Sequence, residues 1–137
     1  MVDRDVLLSR LARLKEYIGF LKRVQKLGIK RFHEDPFVHG AAERYLHLSL
    51  ECLLDIGNHI IADQGWEKPE TYGEIFSVLA SEKVISKAFL RRFEGMAAFR
   101  NLLVHDYIRL DRRRVFEVID KKLKDIEALG KIYGRFV

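Results

Sequence analysis

An arginine, an asparagine and a histidine fall within six residues of one another in the segment Arg100-Asn101-Leu102-Leu103-Val104-His105-Asp106-Tyr107. These residue types can assist attack at a phosphodiester. Imidazole titrates near neutral pH, so His105 can take or give a proton. The Arg100 guanidinium can neutralise charge growing on phosphoryl oxygens, and the Asn101 amide can orient the imidazole or a phosphate oxygen. If the ester has a hydroxyl beside it, as the 2′-OH of RNA does, that hydroxyl is the nucleophile and the set suffices without a metal or other cofactor. The basic cluster Arg109, Arg112, Arg113 and Arg114 follows at once, where a phosphate backbone would approach. The residues alone leave a second reading open: a helix-end histidine, a core arginine paired to a carboxylate, and a solvated basic face.

The segment must be carried by a helix. Val6, Leu7, Leu11, Leu14, Ile18, Leu21 and Val24 recur every three or four residues after Asp3 and Asp5, which predicts a first helix ending at Gly28. Asp35-Pro36 predicts the start of a second helix, with Ala41, Tyr45, Leu48, Cys52 and Ile56 on its stripe and Gly65 at its end. A short helix is expected over 73–81. Ser86 can cap a fourth, running through Phe89, Phe93, Met96 and Ala97 into the motif, and Asp111 a fifth, with Val115, Val118, Ile119, Ile126, Leu129 and Tyr133 on one stripe. No segment reads as a strand. The expected fold is all-α, an antiparallel bundle of four long helices plus one short helix, forming a single domain over residues 1–137.

If the fourth helix is continuous and Phe93 is set at zero on its wheel, Leu90, Met96, Ala97, Leu103 and Val104 lie within about 80° of it and Arg100 at about 340°. A charge in the middle of an apolar stripe needs a carboxylate or a wet cleft. Glu51 or Asp55 on the second helix is the expected partner. Asn101 and His105, four residues apart, are neighbours at the edge of the stripe. Arg100 and His105 stand about 140° apart, so a shared site requires arginine's reach, a distorted last turn or a second subunit. Phe99 and Leu102 fall at about 240° and 180°, off the stripe, which predicts a homodimer that covers them.

The second helix holds a rival constellation. His39, Glu43, His47, Glu51, Asp55 and His59 follow at four-residue steps, a spacing that can serve a metal. The row drifts by about 40° per step, so all six cannot face one ion; His39 to His47 are expected to be mostly solvated, and no metal site is assigned. Cys52 is the sole cysteine and sits among Leu50, Leu53 and Leu54, as a small hydrophobe would.

The net charge of +5 conceals an uneven layout. Residues 1–31 carry nine basic and three acidic groups, residues 34–82 two and ten, and residues 83–137 fourteen and seven. The longest apolar run, Met96 to Phe99, is far below the roughly 20 residues of a membrane span. The opening Met-Val-Asp-Arg-Asp leads into no apolar signal region, so a cytoplasmic protein without a membrane partner is expected.

The string Arg100-Asn-Leu-Leu-Val-His-Asp-Tyr107 closely resembles the RNxxxHxY signature of HepT-like proteins of the HEPN superfamily. Asp55-Ile-Gly-Asn-His59, the Gly-Trp-x-x-Pro loop at 65–69, Tyr72-Gly-Glu-Ile-Phe and the helix after Asp111 extend the resemblance along nearly the whole chain. It implies a metal-independent endoribonuclease toxin acting on RNA as a homodimer, with Arg100 and His105 catalytic and Asn101 in support. It also implies a nucleotidyltransferase antitoxin of the MntA kind, which silences the toxin by transferring AMP to Tyr107. Two other readings stand beside it: a non-catalytic HEPN module that binds a nucleotide or the nucleotidyltransferase, and a helical scaffold whose motif cements a dimer.

Overall fold

A one-residue turn sets the frame. In the computed structural model, which describes residues 3–106 and 108–137, helix α1 (Arg4–Glu34) meets helix α2 (Pro36–Gln64) at Asp35. The Asp35 N–H donates to the Arg31 carbonyl, its carboxylate accepts from the Phe37 N–H, and Pro36 opens the new helix without an N–H to satisfy. So short a link folds the two helices back antiparallel. Tyr17 and Phe20 accordingly meet Tyr45, and Phe32 meets His39 across the hairpin.

Gly28 does not end α1, as its sequence position predicts, but kinks it. Its φ of 86° and ψ of 166° break the axis, and the helix resumes to bury Phe32 near the tip. The third long helix, α6 (Arg112–Tyr133), starts where Asp111 accepts the Arg113 N–H and lies antiparallel to α1. Lys22 meets Glu127 at 2.7 Å, and the Gln25 amide donates to the Ile119 carbonyl at 2.8 Å. At the far end the fully buried Tyr133 hydroxyl donates to the Leu53 carbonyl at 2.9 Å, joining α6 to α2. Gly57 permits this approach: a Cβ there would stand 2.7 Å from that hydroxyl and 2.8 Å from Ile75 Cγ2.

Of three shorter helices, two cover the remaining side of α2 and the third packs on one of these. Helix α3 (Tyr72–Ser81), capped by Thr71, buries Ile75, Phe76 and Leu79. Helix α4 (Lys87–Arg91), capped by Ser86, and helix α5 (Met96–His105) replace the single long helix predicted over this stretch. Gly95, at φ 78°, separates them. The all-α antiparallel bundle forms as expected, then, but with its fourth long helix divided in two.

The break changes which residues are core. On α5 alone, Met96, Phe99, Arg100 and Leu103 share an arc of about 100°. Phe99 is 3% exposed and belongs to the core, and Leu102 is half-buried, so the prediction of an uncovered Phe99 awaiting a second subunit is wrong. A wheel drawn through Gly95 carried the wrong phase into the motif. The buried side chains of α1, α2, α3, α5 and α6 form one cluster, each large aliphatic member contributing roughly 1.5–3 kcal/mol. Among the described residues, no helix is long and apolar enough to cross a membrane.

Candidate active site

Arg100 faces inward from α5, 9% exposed, because it takes a core position on that helix. Its charge is met by Glu51 of α2, whose Oε1 accepts the Nε–H. Asn101 Oδ1 accepts from Nη1 at 3.0 Å, and the Tyr72 ring lies against the guanidinium with its centroid 4.5 Å from Cζ. The hydrogen bond it donates to Glu51 holds the guanidinium still more firmly in its charged form, against the opposing cost of burial. Of the two predicted carboxylates, Glu51 meets Arg100 and Asp55 does not. Asp55 lies a turn further along α2 and pairs with Arg10 of α1, with His59 Nε2 3.7 Å from its other oxygen.

His105 ends α5 on the opposite side from Arg100 and is exposed. Among the described residues it has no hydrogen-bond or ion-pair partner. Asp106 follows as the C-cap residue, its N–H bonded to the Leu102 carbonyl, and its carboxylate lies 3.6 Å from Arg109 Nε. Tyr107, expected from the resemblance to accept AMP, lies outside the described residues. The basic turn is open to solvent: the Arg109 side chain is 82% exposed, and Arg112 and Arg113 are exposed in the first turn of α6. Arg114 is tied back, with Nη1 3.1 Å from Glu117 and Cζ 5.9 Å from the Phe99 ring centroid.

The α2 row departs from expectation at its middle. His39 and Glu43 are half-buried rather than mostly solvated, and the His47 side chain is only 18% exposed. His47 stands between Arg44, whose Nη1 is 3.3 Å from Nδ1, and Glu51, whose Oε1 is 3.4 Å from Nε2. Burial, with help from Arg44 and Arg100, keeps this imidazole below its ordinary value of 6.5 although Glu51 pulls the other way. Among the described residues, no three His, Cys, Asp or Glu side chains converge as metal ligands would. Cys52 is half-buried, and burial pushes its thiol up to about 11, which suits packing rather than nucleophilic work.

Two neighbours of the Arg100–Glu51 pair are not legible in the motif, Tyr72 beneath the guanidinium and His47 beside Glu51. The i, i+4 step from His47 to Glu51 was a usable signal for the second. Nothing in the spacing pointed to Tyr72, which arrives from another helix. Beside these groups, Gly40, Glu43, Arg44, His47, Leu103, Val104 and Leu110 line an open cleft of about 420 Å³ between α2 and the end of the motif.

The arrangement can be compared with known proteins. A family model described as "Ribonuclease HepT-like" matches residues 12–131. The mRNA nuclease HepT of Shewanella oneidensis is 28% identical over 123 residues, covering 90% of this chain and 92% of that protein. The tRNA nuclease HepT of Aphanizomenon flos-aquae is 24% identical over 123 residues, covering 90% and 84%. The solved structure of a tri-AMPylated Shewanella oneidensis HEPN toxin in complex with an MNT antitoxin superposes with a TM-score of 0.86 at 26% identity, over 96% of this chain and 98% of that one. A toxin–antitoxin structure with AMP-PNP gives 0.83 at 25% identity, over 95% and 98%. Matched from within α1 to the last turn of α6 and superposing on these relatives along nearly its full length, the chain belongs to the HepT-like ribonuclease family.

Proposed function

We propose that this protein is a metal-independent endoribonuclease toxin that cleaves RNA with His105 and Arg100 and is silenced when a nucleotidyltransferase antitoxin transfers AMP to Tyr107. The observation that carries the reading is the contrast within one short helix: a buried guanidinium fixed by Glu51 and Asn101, followed by an exposed histidine at the mouth of a basic turn. The named activities of the HepT relatives and the AMPylated state of the Shewanella toxin support it.

In the proposed reaction the substrate 2′-hydroxyl loses its proton and attacks the adjacent phosphorus. The P–O5′ bond breaks, and the 5′ oxygen leaves with a proton. The products are a 2′,3′-cyclic phosphate and a 5′-hydroxyl end. His105 moves the proton, Arg100 stabilises the charge on the phosphoryl oxygens, and Asn101 keeps the guanidinium in place. Arg109, Arg112, Arg113 and Arg114 attract the strand. Because Arg100 and His105 point to different sides of α5, a homodimer that brings the two motifs together completes the site. Attaching AMP to the Tyr107 oxygen, with pyrophosphate leaving from ATP, would set negative charge and a bulky base where the RNA phosphate must lie.

Purified protein should cleave labelled RNA in the presence of a chelator and leave cyclic-phosphate ends. His105→Ala should slow cleavage by roughly 10²–10⁴-fold while changing stability by under about 0.5 kcal/mol. Cleavage that needs a divalent metal, or that survives this substitution, would reject the mechanism. With the antitoxin and ATP, intact-mass measurement should show AMP added to the wild type and not to Tyr107→Phe. The phenylalanine variant should still cleave RNA and escape inhibition; a variant modified and silenced like the wild type would end the regulatory part of the reading.

A further inference from the structure

We propose that His47 is a positioning residue for Arg100, acting through Glu51. His47 and Glu51 lie one turn apart on α2, and the geometry fixes which nitrogen carries the proton. Arg44 Nη1 stands 3.3 Å from Nδ1, and a guanidinium can only donate, so Nδ1 accepts. The neutral ring then carries its proton on Nε2, which lies 3.4 Å from Glu51 Oε1. That oxygen also accepts the Nε–H of Arg100. Two N–H groups from two helices therefore converge on one carboxylate oxygen and restrain it.

The restraint matters because Glu51 is not locked by packing. Its side chain is 34% exposed and has free torsions by which it could swing into the cleft lined by Glu43, Arg44 and His47. Arg100 would follow, since Glu51 is its carboxylate partner and the short Asn101 contact and the Tyr72 ring do not fix where the Nε edge points. The chain Arg44, His47, Glu51, Arg100 sets donors and acceptors against one another in order, and burial favours the neutral ring that this order requires.

The effect of His47 on rate rests on the proposed role of Arg100; its effect on the guanidinium does not, and the test separates them. In NMR of the full-length protein with labelled arginine, the Arg100 Nε–H should exchange slowly with water. His47→Leu, which keeps bulk but removes both ring nitrogens, should speed that exchange by at least about tenfold, and His47→Gln, whose amide N–H reaches the place of Nε2–H, should restore it. His47→Ala serves the same purpose if leucine perturbs the fold. Single-turnover cleavage of RNA should follow the same order, falling by about tenfold in His47→Leu with KM changing less, and recovering in His47→Gln. In a Glu51→Ala background, His47→Leu should cost nothing further. An Arg100 Nε–H indifferent to His47, or losses that simply add to those of Glu51→Ala, would overturn the proposal. A wild-type chain inert on RNA would defeat the ribonuclease reading, and the exchange measurement would then decide the role of His47 by itself.

Discussion

Arg100 and His105 stand five residues apart on α5 and have opposite surroundings. Arg100 is buried, bonded to Glu51 and Asn101 and stacked on Tyr72, so three helices of the same chain fix its direction. His105 is exposed at the C-terminal end of its helix. One group has its geometry built in; the other takes its geometry from whatever docks against it. In the proposed reaction this is a division of labour. A charge that must meet developing charge gains from preorganisation, whereas a proton carrier must approach the substrate oxygens and remain in exchange with water.

The largest expected effect comes from removing the fixed member. Arg100→Ala should slow cleavage at least as much as His105→Ala, but it should also lower stability by about 1–3 kcal/mol, because Glu51 loses its cation and a core position loses its stem. Arg100→Lys keeps the charge and not the fork, so it should recover part of the stability and little of the rate. Urea unfolding of the two alanine variants side by side is the measurement. Equal stabilities would mean that Arg100 is no more embedded than His105, and the contrast would collapse.

A smaller effect should come from the frame behind the site. Gly57→Ala places a methyl group against the Tyr133 hydroxyl and Ile75, and neither has room to yield, so a loss of about 1–3 kcal/mol is expected. Gly95→Ala meets no neighbour and is disfavoured only by its φ of 78°, which predicts about 1 kcal/mol. The second change should nevertheless disturb cleavage more per unit of stability lost, since Gly95 sets the phase of α5 and thus the direction of Arg100. If both variants cleave at the wild-type rate, the phase of α5 is fixed by core packing and not by the break.

The helical frame was largely legible because its signals are local. Asp35-Pro36, Gly65, Ser86 and Asp111 cap or stop helices through bonds within a few residues, and periodicity supplied the buried stripes of α1 and α6. On α2 it missed: of Ala41, Tyr45, Leu48, Cys52 and Ile56 only Ile56 is buried, and the core face runs instead through Ala42, Leu46, Leu50 and Leu53. The glycines were harder. Gly28 and Gly95 have left-handed φ in the middle of apolar patterns, and a pattern does not tell whether such a residue ends a helix, kinks it or splits it. Misreading Gly95 cost the placement of Phe99, and with it the apolar argument for a dimer. Around Arg100, the need for a carboxylate or a wet cleft followed from its place on the apolar stripe. The choice of Glu51 over Asp55, and the arrival of Tyr72, depend on how α5 and α3 are set against α2, which spacing along the chain does not contain.

The smallest effect is expected at the basic turn, where the same contrast between held and free groups recurs. Arg114 is paired with Glu117 and rests near Phe99, and Arg109 faces Asp106, whereas Arg112 and Arg113 extend into solvent with no side-chain partner among the described residues. A free arginine that meets a phosphate displaces one counterion, so each should contribute about 0.7 to the slope of log affinity against log salt for single-stranded RNA. An arginine already neutralised by a neighbouring carboxylate should contribute less. Arg112→Ala and Arg113→Ala should therefore each flatten the salt dependence of RNA binding by close to that amount, with cleavage of bound RNA unchanged, and Arg114→Ala should flatten it less. Binding is best followed with catalytically silent His105→Ala protein across a range of salt. If Arg114→Ala flattens the slope as much as the other two, its pairing with Glu117 opens on contact with RNA. If none of the three moves it, the strand does not cross this turn.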